Sequence, residues 1–515
     1  MKVVVIGLDS ASWNVLMPLI EAGNLPTIGR LVTNGVRGYL RSSVPPITFP
    51  AWKCYSTGKN PGKLGVYSFT GLDKEKRDLV FHTGADFKEK EIWDYLGYHG
   101  LRSCVINMPG TYPPKTINGI IISGIPIFSS RTYATPSEII KDLNRIGYKV
   151  EAVKYLGSRN DKQEHKQLRE LISSRFGIAK IIRDKYDIDF WQVTVFYIDK
   201  IQHSYFTNER ILKDYWQLID TKIGDFLEGF GRDVNVFLMS DHGATAIKNT
   251  LYLNEFLLKE GYLRLRTGSD KEKMGAAPVA IGAFKFVRGN PYLYPFFQRI
   301  RQIAPRAIRN LITSISRQEV KNRALSIIDW EQSDFFSIGP TSGLIYRLNG
   351  RPERMRELRA LLEQLHDPVT GDRVADVFAR DEVYTGPMKN APDMIVVPRS
   401  STLISAGIRD KPEVWGPAPN NWEGMHEQEG MFLASGPDIR QGQEITGASL
   451  LDIAPTILHL FGVPIPRDMD GRVLSEIFSD TSEAARRKVM YRQVEDERQE
   501  IRERILKLKA SGKVR

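Results

Sequence analysis

At 515 residues the chain exceeds what one ordinary hydrophobic core serves, so its length suggests two or three domains. Apolar residues at 42% with charged ones at 26% argue against disorder throughout, and two cysteines, Cys54 and Cys104, argue against a disulfide framework or a CxxC metal site. The net charge of +11 is concentrated: between Arg264 and Arg323, 13 Lys/Arg stand against three acids (Asp270, Glu272, Glu319), which marks a basic insertion and not a nucleic-acid-coating protein.

The opening run through Asp9 is short and ends on a carboxylate, so it reads as a buried strand over Lys2–Leu8 and not as a signal peptide. Ser12–Ala22 has helical periodicity, as does Ile92–Gly97. Arg102–Asn107, Gly119–Ser123 and Trp191–Ile198 are apolar runs of strand length. Helix Ile211–Phe230, strand Val234–Met239, helix Glu353–Leu365 and strands Met394–Val397 and Met431–Ser435 complete the pattern. Such alternation predicts an α/β fold with a doubly wound, mostly parallel sheet and helices on both faces, plus an inserted cap.

The expected division is a catalytic domain from 1–258 and 330–480, a basic cap over 259–329, and a charged C-terminal helix over 481–515 with Ile501, Ile505 and Leu508 as its apolar stripe. No stretch approaches the roughly 20 apolar residues of a membrane span. A cytoplasmic protein is expected, with peripheral membrane contact through 290–317 left open. There Tyr292, Tyr294, Phe296, Phe297, Ile300 and Ile303 alternate with Arg299 and Arg301. A cap helix packing that face on the α/β body is the plainer reading, and membrane docking the alternative.

Ligands of doubly wound sheets sit beyond the carboxyl ends of the strands. Asp9, Asn107, Asp199 and Asp241-His242 all fall there. In Ser240-Asp241-His242-Gly243 a carboxylate and an imidazole can turn toward one ion, with Gly243 permitting the bend; a purely structural turn is the plainer reading. Asp199 and His203, four apart, share a face if a helical turn begins there; otherwise Asp199 is an N-cap and His203 incidental. Thr48 precedes Pro50, a residue suited to a first helical turn, so it lies at a helix start where backbone N–H groups favour negative charge; it can equally be a simple N-cap. His426, within Gly424–Gly430, is flanked by glycine and charge, unlike a core histidine. Three Asp, three His and one hydroxyl on separate loops match what phosphoester cleavage needs: a nucleophile, and two divalent ions roughly 4 Å apart to neutralise charge and assist the leaving oxygen.

The order Asp9, Thr48, Asp199-x-x-x-His203, Asp241-His242, His426, followed by Ser449–Leu458, resembles the alkaline phosphatase superfamily, and within it the type I phosphodiesterase/nucleotide pyrophosphatase branch. The resemblance implies a metal-dependent phosphohydrolase cleaving phosphodiesters or phosphomonoesters through a phosphothreonine on Thr48. It implies one divalent ion held by Asp9, Thr48, Asp241 and His242 and a second by Asp199, His203 and His426. Zinc suits this mixed imidazole–carboxylate set, with manganese the alternative. A phosphomutase of the same superfamily is the second reading, and a non-catalytic binding protein the third. Expected partners are a small-molecule or lipid-linked phosphate ester and no nucleic acid. Two departures stand out. Gln202 precedes His203 where the branch has Gly, and Gly65–Thr70 lacks the Asn that the branch uses to hold a phosphate oxygen. Asn60 and Asn107 are the candidates to replace it.

Overall fold

Side chains of the opening strand, Lys2–Leu8, alternate between two faces, and both faces are apolar. Val4, Ile6 and Leu8 enter one hydrophobic cluster while Val3 and Val5 enter another. A strand of that kind belongs inside a sheet covered on both sides. The computed structural model describes residues 1–127, 132–150, 162–231, 233–266, 325–339, 341–399, 401–409, 412–418 and 422–493, and in it this strand is the middle of nine. Across the sheet the order is Gln443–Ser449, Gly35–Arg41, Glu429–Ser435, Val234–Met239, Lys2–Leu8, Phe190–Val195, Ser103–Ile106, Gly119–Ile122, Ala134–Thr135. Five of the eight neighbouring pairs are parallel. Glu429–Ser435 runs antiparallel to both its neighbours, and Ala134–Thr135 antiparallel to its one. Helices Trp13–Glu21, Pro26–Thr33, Lys162–Lys185 and Glu209–Leu227 cover one face; Thr48–Thr57, Ile92–Tyr98 and Leu450–Leu460 cover the other.

Two expectations about elements need correction. The strand expected over Trp191–Ile198 ends at Val195, because the chain turns at Phe196 into helix Tyr197–Tyr205; Asp199 therefore sits in a first helical turn and not on a strand end. The apolar run Met394–Val397 does form a strand, Met394–Pro398, but outside the large sheet. It pairs antiparallel with Gly343–Arg347 and Ala375–Ala379, and with Phe335–Ile338 these make a four-stranded sheet over a third hydrophobic cluster. An apolar run says that a strand is buried on both faces; it does not say which strand it pairs with.

The chain leaves the large sheet after Val234–Met239 through Gly243–Ala246 and returns through Gly424–Glu427. These two segments pair antiparallel, Ala244 opposite His426 and Ala246 opposite Gly424. The antiparallel lobe lies between them in sequence. Of the expected cap, 267–324 lies outside the described residues, and so does the membrane-contact stretch 290–317. At the C-terminal end, a short helix Glu483–Arg486 is capped by Ser482, and Tyr491–Arg492 pairs with Ile465–Pro466; Ile501, Ile505 and Leu508 are outside the described residues. Among the described residues no helix is long and apolar enough to cross a membrane.

Candidate active site

Asp9 follows the central strand and is fully buried. Its Oδ2 accepts a hydrogen bond from Trp52 Nε1 at 3.0 Å. The indole reaches this position only because residue 7 is glycine, where a Cβ would stand 2.3 Å from Trp52 Cη2. Asp241 and His242 follow the adjacent strand, Val234–Met239. Asp241 Oδ1 accepts from the Ser10 N–H at 3.2 Å, and Ser10 itself holds a left-handed φ of 59°. Asp9 Oδ1 and Asp241 Oδ2 are buried with no hydrogen-bond partner among the described residues, and both face His242 Nε2, at 3.8 and 3.2 Å.

Thr48 is the first residue of helix Thr48–Thr57, and the N-cap position belongs to Ile47. Its hydroxyl is therefore free of capping and donates to His242 Nε2 at 3.2 Å. The first amide bond of this helix runs from Ala51 N to Ile47 O, and Pro50 has no N–H, so the amides of Thr48 and Phe49 precede the intrahelical ladder. Phe49 behind them is fixed by stacking on Phe69, with centroids 5.0 Å apart.

Helix Tyr197–Tyr205 presents Asp199 and His203 on one face, and the strand Gly424–Glu427 brings His426 against them. Asp199 Oδ1 lies 3.3 Å from His203 Nε2 and 3.4 Å from His426 Nε2, and the two imidazole nitrogens are 3.1 Å apart. Each of the three histidines donates its other nitrogen to a main-chain carbonyl: His203 Nδ1 to Gly424 O, His426 Nδ1 to Pro46 O, His242 Nδ1 to Gly243 O. That bond places the proton on Nδ1 and leaves Nε2 as a bare lone pair turned inward, the form in which imidazole binds a metal. His203 and His426 Nε2 with Asp199 Oδ1 are thus three acceptors in mutual contact with no donor among them.

The electrostatics have the same sense. Burial first, then the charges of Asp241 and Asp199, push the Asp9 carboxyl well above its usual range. Burial does the same to Asp241, against the pull of the Ser10 N–H. Burial also lowers His203 to about 4 and holds His242 far below its ordinary value, so both rings stay neutral. Asp199 differs, since burial is outweighed there by the His203 ring and by Lys200, whose Nζ lies 3.6 Å from Oδ2, and its carboxyl is held well below the usual range. Neutral imidazoles beside buried carboxylates are a donor set suited to divalent cations. Asp9, Asp241 and His242 form one such group, Asp199, His242 and His426 another, with all ligand atoms of each within 4.8 Å of one another.

Neither candidate asparagine joins this cluster through a hydrogen bond. Asn60 caps helix Pro61–Leu64, accepting from Gly62 N, and its amide donates to Thr385 Oγ1 and Asp470 Oδ2. Asn107 follows strand Ser103–Ile106 at φ 61° and donates to Thr194 O, leaving its Oδ1 buried and without a partner among the described residues. Sequence reasoning missed Trp52, Ser10 and Trp422, the last stacked on His203 at 4.4 Å between centroids. Trp52 carried no local signal, whereas Trp422, four residues before His426, stood within reach of inspection.

Residues 3–427 match the family described as type I phosphodiesterase/nucleotide pyrophosphatase. The chain belongs to that family. It is accordingly a phosphoester hydrolase or a close relative of one, in a family that is generally metal-dependent. No curated protein matches the sequence. Among solved structures it is similar to murine ectonucleotide pyrophosphatase/phosphodiesterase 5, at 12% identity and TM-score 0.52, covering 93% of this chain and 100% of that one. An inactive form of the murine protein in complex with AMP matches at 13% identity and TM-score 0.52, with the same coverage. Phosphonoacetate hydrolase from Sinorhizobium meliloti 1021, in complex with phosphonoformate, is similar at 14% identity and TM-score 0.53, covering 88% of this chain and 94% of that one. These likenesses establish the alkaline phosphatase-like fold.

Proposed function

We propose that the protein hydrolyses phosphodiesters or phosphomonoesters through a phosphothreonine formed on Thr48. Asp9, Thr48, Asp241 and His242 would hold one divalent cation and Asp199, His203 and His426 a second, zinc or alternatively manganese. Bound there, the cations supply charge neutralisation for the phosphoryl oxygens and acidify the attacking hydroxyl. The observation that carries the reading is the Thr48 hydroxyl, uncapped at a helix start and 3.2 Å from His242 Nε2, a ring nitrogen that also faces carboxylate oxygens with no hydrogen-bond partner among the described residues.

Thr48 Oγ1 forms the bond to phosphorus as the bond from phosphorus to the leaving oxygen breaks. The hydroxyl proton passes to solvent and the leaving oxygen takes one up from water. The Thr48 and Phe49 amides offer N–H donors to the phosphoryl oxygens at the helix start. Water then attacks phosphorus and releases the threonine hydroxyl and the phosphate product. Trp52 and Ser10, donating to Asp9 and Asp241, keep both carboxylates turned inward throughout.

AMP in the murine relative supports starting a substrate panel with nucleotide diesters, and phosphonoformate in the bacterial hydrolase supports including phosphonates. The test is turnover of that panel with zinc or manganese, followed by peptide mass spectrometry of an acid-quenched reaction. Phosphorylated Thr48 is expected. Wild-type rates from Thr48→Ala would overturn the covalent route.

A further inference from the structure

Between the two ion-ligand residues of helix Tyr197–Tyr205 stands Gln202, 1% exposed. Its Nε2 donates to the main-chain oxygen of Ser10 at 2.9 Å and to the Ser10 hydroxyl. Both protons of the amide are therefore spent on one residue. That residue is the one after Asp9, it adopts a left-handed φ of 59°, and its own N–H donates to Asp241. A left-handed backbone is uncommon for a residue with a Cβ and persists when its surroundings hold it. Gln202 Oε1 is buried without a partner among the described residues. Burying an amide with its carbonyl unsatisfied is unfavourable, so apolar packing does not account for glutamine here; its two donor bonds do.

We propose that Gln202 is a positioning residue that mechanically couples the two halves of the site. One amide joins the helix carrying Asp199 and His203 to the turn carrying Asp9 and, through Ser10 N–H, to Asp241. Any shift of Asp9 and Asp241 toward a cation pulls on Ser10, and Ser10 pulls on the helix. Filling one half thereby sets the ligand positions of the other, a coupling between two binding sites. The side chain must be long enough to cross from helix to turn and must carry two N–H groups, and glutamine meets both needs. The inference rests on the cation reading given above.

Calorimetric titration of manganese into the chelator-stripped full-length protein tests it. The wild type should bind two ions, the second no more weakly than the first. Gln202→Met keeps the bulk and removes both donors, and should weaken the second step about tenfold, in line with the loss of hydrogen bonds at one buried contact. Adding Ser10→Gly, which accepts a left-handed φ without steric cost, should recover part of that loss. Rescue of this kind is not expected if Gln202 merely fills space. Should Gln202→Met fail to melt cooperatively, Ser10→Ala removes only the hydroxyl contact and should weaken the second step by a smaller factor. Two ions bound with wild-type stepwise affinities by a folded Gln202→Met, or by Ser10→Ala in its place, would overturn the coupling while leaving the cation reading intact. Absence of ion uptake by the wild type would overturn both.

Discussion

Replacing Gly7 by alanine tests whether Trp52 holds Asp9 in its working position. The added Cβ would lie 2.3 Å from Trp52 Cη2, 2.8 Å from Cζ3 and 3.0 Å from Gln192 Nε2, where ordinary contact begins at 3.4 Å. Trp52 is fully buried, between the sheet and its covering helix, and has no solvent to swing into. The indole must move by about 1 Å, and such overpacking costs about 1–3 kcal/mol of stability. A displacement of that size also breaks the 3.0 Å bond from Nε1 to Asp9 Oδ2 and releases a carboxylate at the centre of the site. Misplacing a reacting group by about 1 Å can cost on the order of 100-fold in rate. The assay is kcat and KM on a chromogenic phosphodiester at saturating manganese, with thermal melting alongside. We expect a lower melting temperature and a kcat reduced about 100-fold with little change in KM. Trp52→Phe separates the two effects, since it removes the N–H together with the pyrrole part of the indole and introduces no clash; it should lower kcat, with a stability loss that comes from the cavity left behind. Gly7→Ala with wild-type kcat, or Trp52→Phe with wild-type kcat, would refute the idea that the indole positions Asp9.

Thr48→Ala should abolish turnover while costing only about 1 kcal/mol of stability, because the side chain caps nothing and gives up one hydrogen bond; activity assays with a melting curve decide this. Gly424→Ala should weaken zinc binding in calorimetry, because its Cβ would meet Gln202 O at 2.5 Å and push the helix off the carbonyl that His203 Nδ1 reaches at 2.7 Å. Cation removal should lower the melting temperature more at pH 8 than at pH 5. Asp9 and Asp241 titrate well above their usual value of 3.8 in the cation-free fold, so the stability they contribute is complete below that value and is lost as pH rises through their raised folded values. Restoring manganese should remove the difference, and equal losses at both pH values would contradict the assignment.

The seven proposed ligand and nucleophile positions are legible in the sequence, because each sits at a junction that sequence can mark: a carboxylate closing an apolar run, an Asp and a His four apart, a Thr ahead of Pro50. What sequence could not mark were contacts made across the sheet. Trp52 reads as one more apolar residue on a buried helix, and its bond to Asp9 depends on the absence of a side chain at Gly7, 45 positions earlier in the chain. Gln202 was visible only as a departure from a family pattern, and its partner Ser10 lies 192 positions away. Asn60 was misleading for a reason the sequence does contain: Asn followed by Pro61 is a helix start with Pro at its first position, and the side chain is used in capping. The strand Met394–Pro398 was recognisable as a strand, but its antiparallel partners were set by the turns of a separate lobe.

The pairing of Gly243–Ala246 with Gly424–Glu427 gives that lobe an unusual attachment. The chain goes out just after His242 and comes back through His426, so the doorway of the lobe is made from two paired strands that adjoin or carry two of the site's three histidines. Whatever is built between these strands begins and ends at a fixed gap, and lengthening a loop adds only slowly to the entropy of closing it. The lobe can thus be rebuilt like an interchangeable fitting, with new walls for a new substrate, while the joint that bears His426 keeps its register.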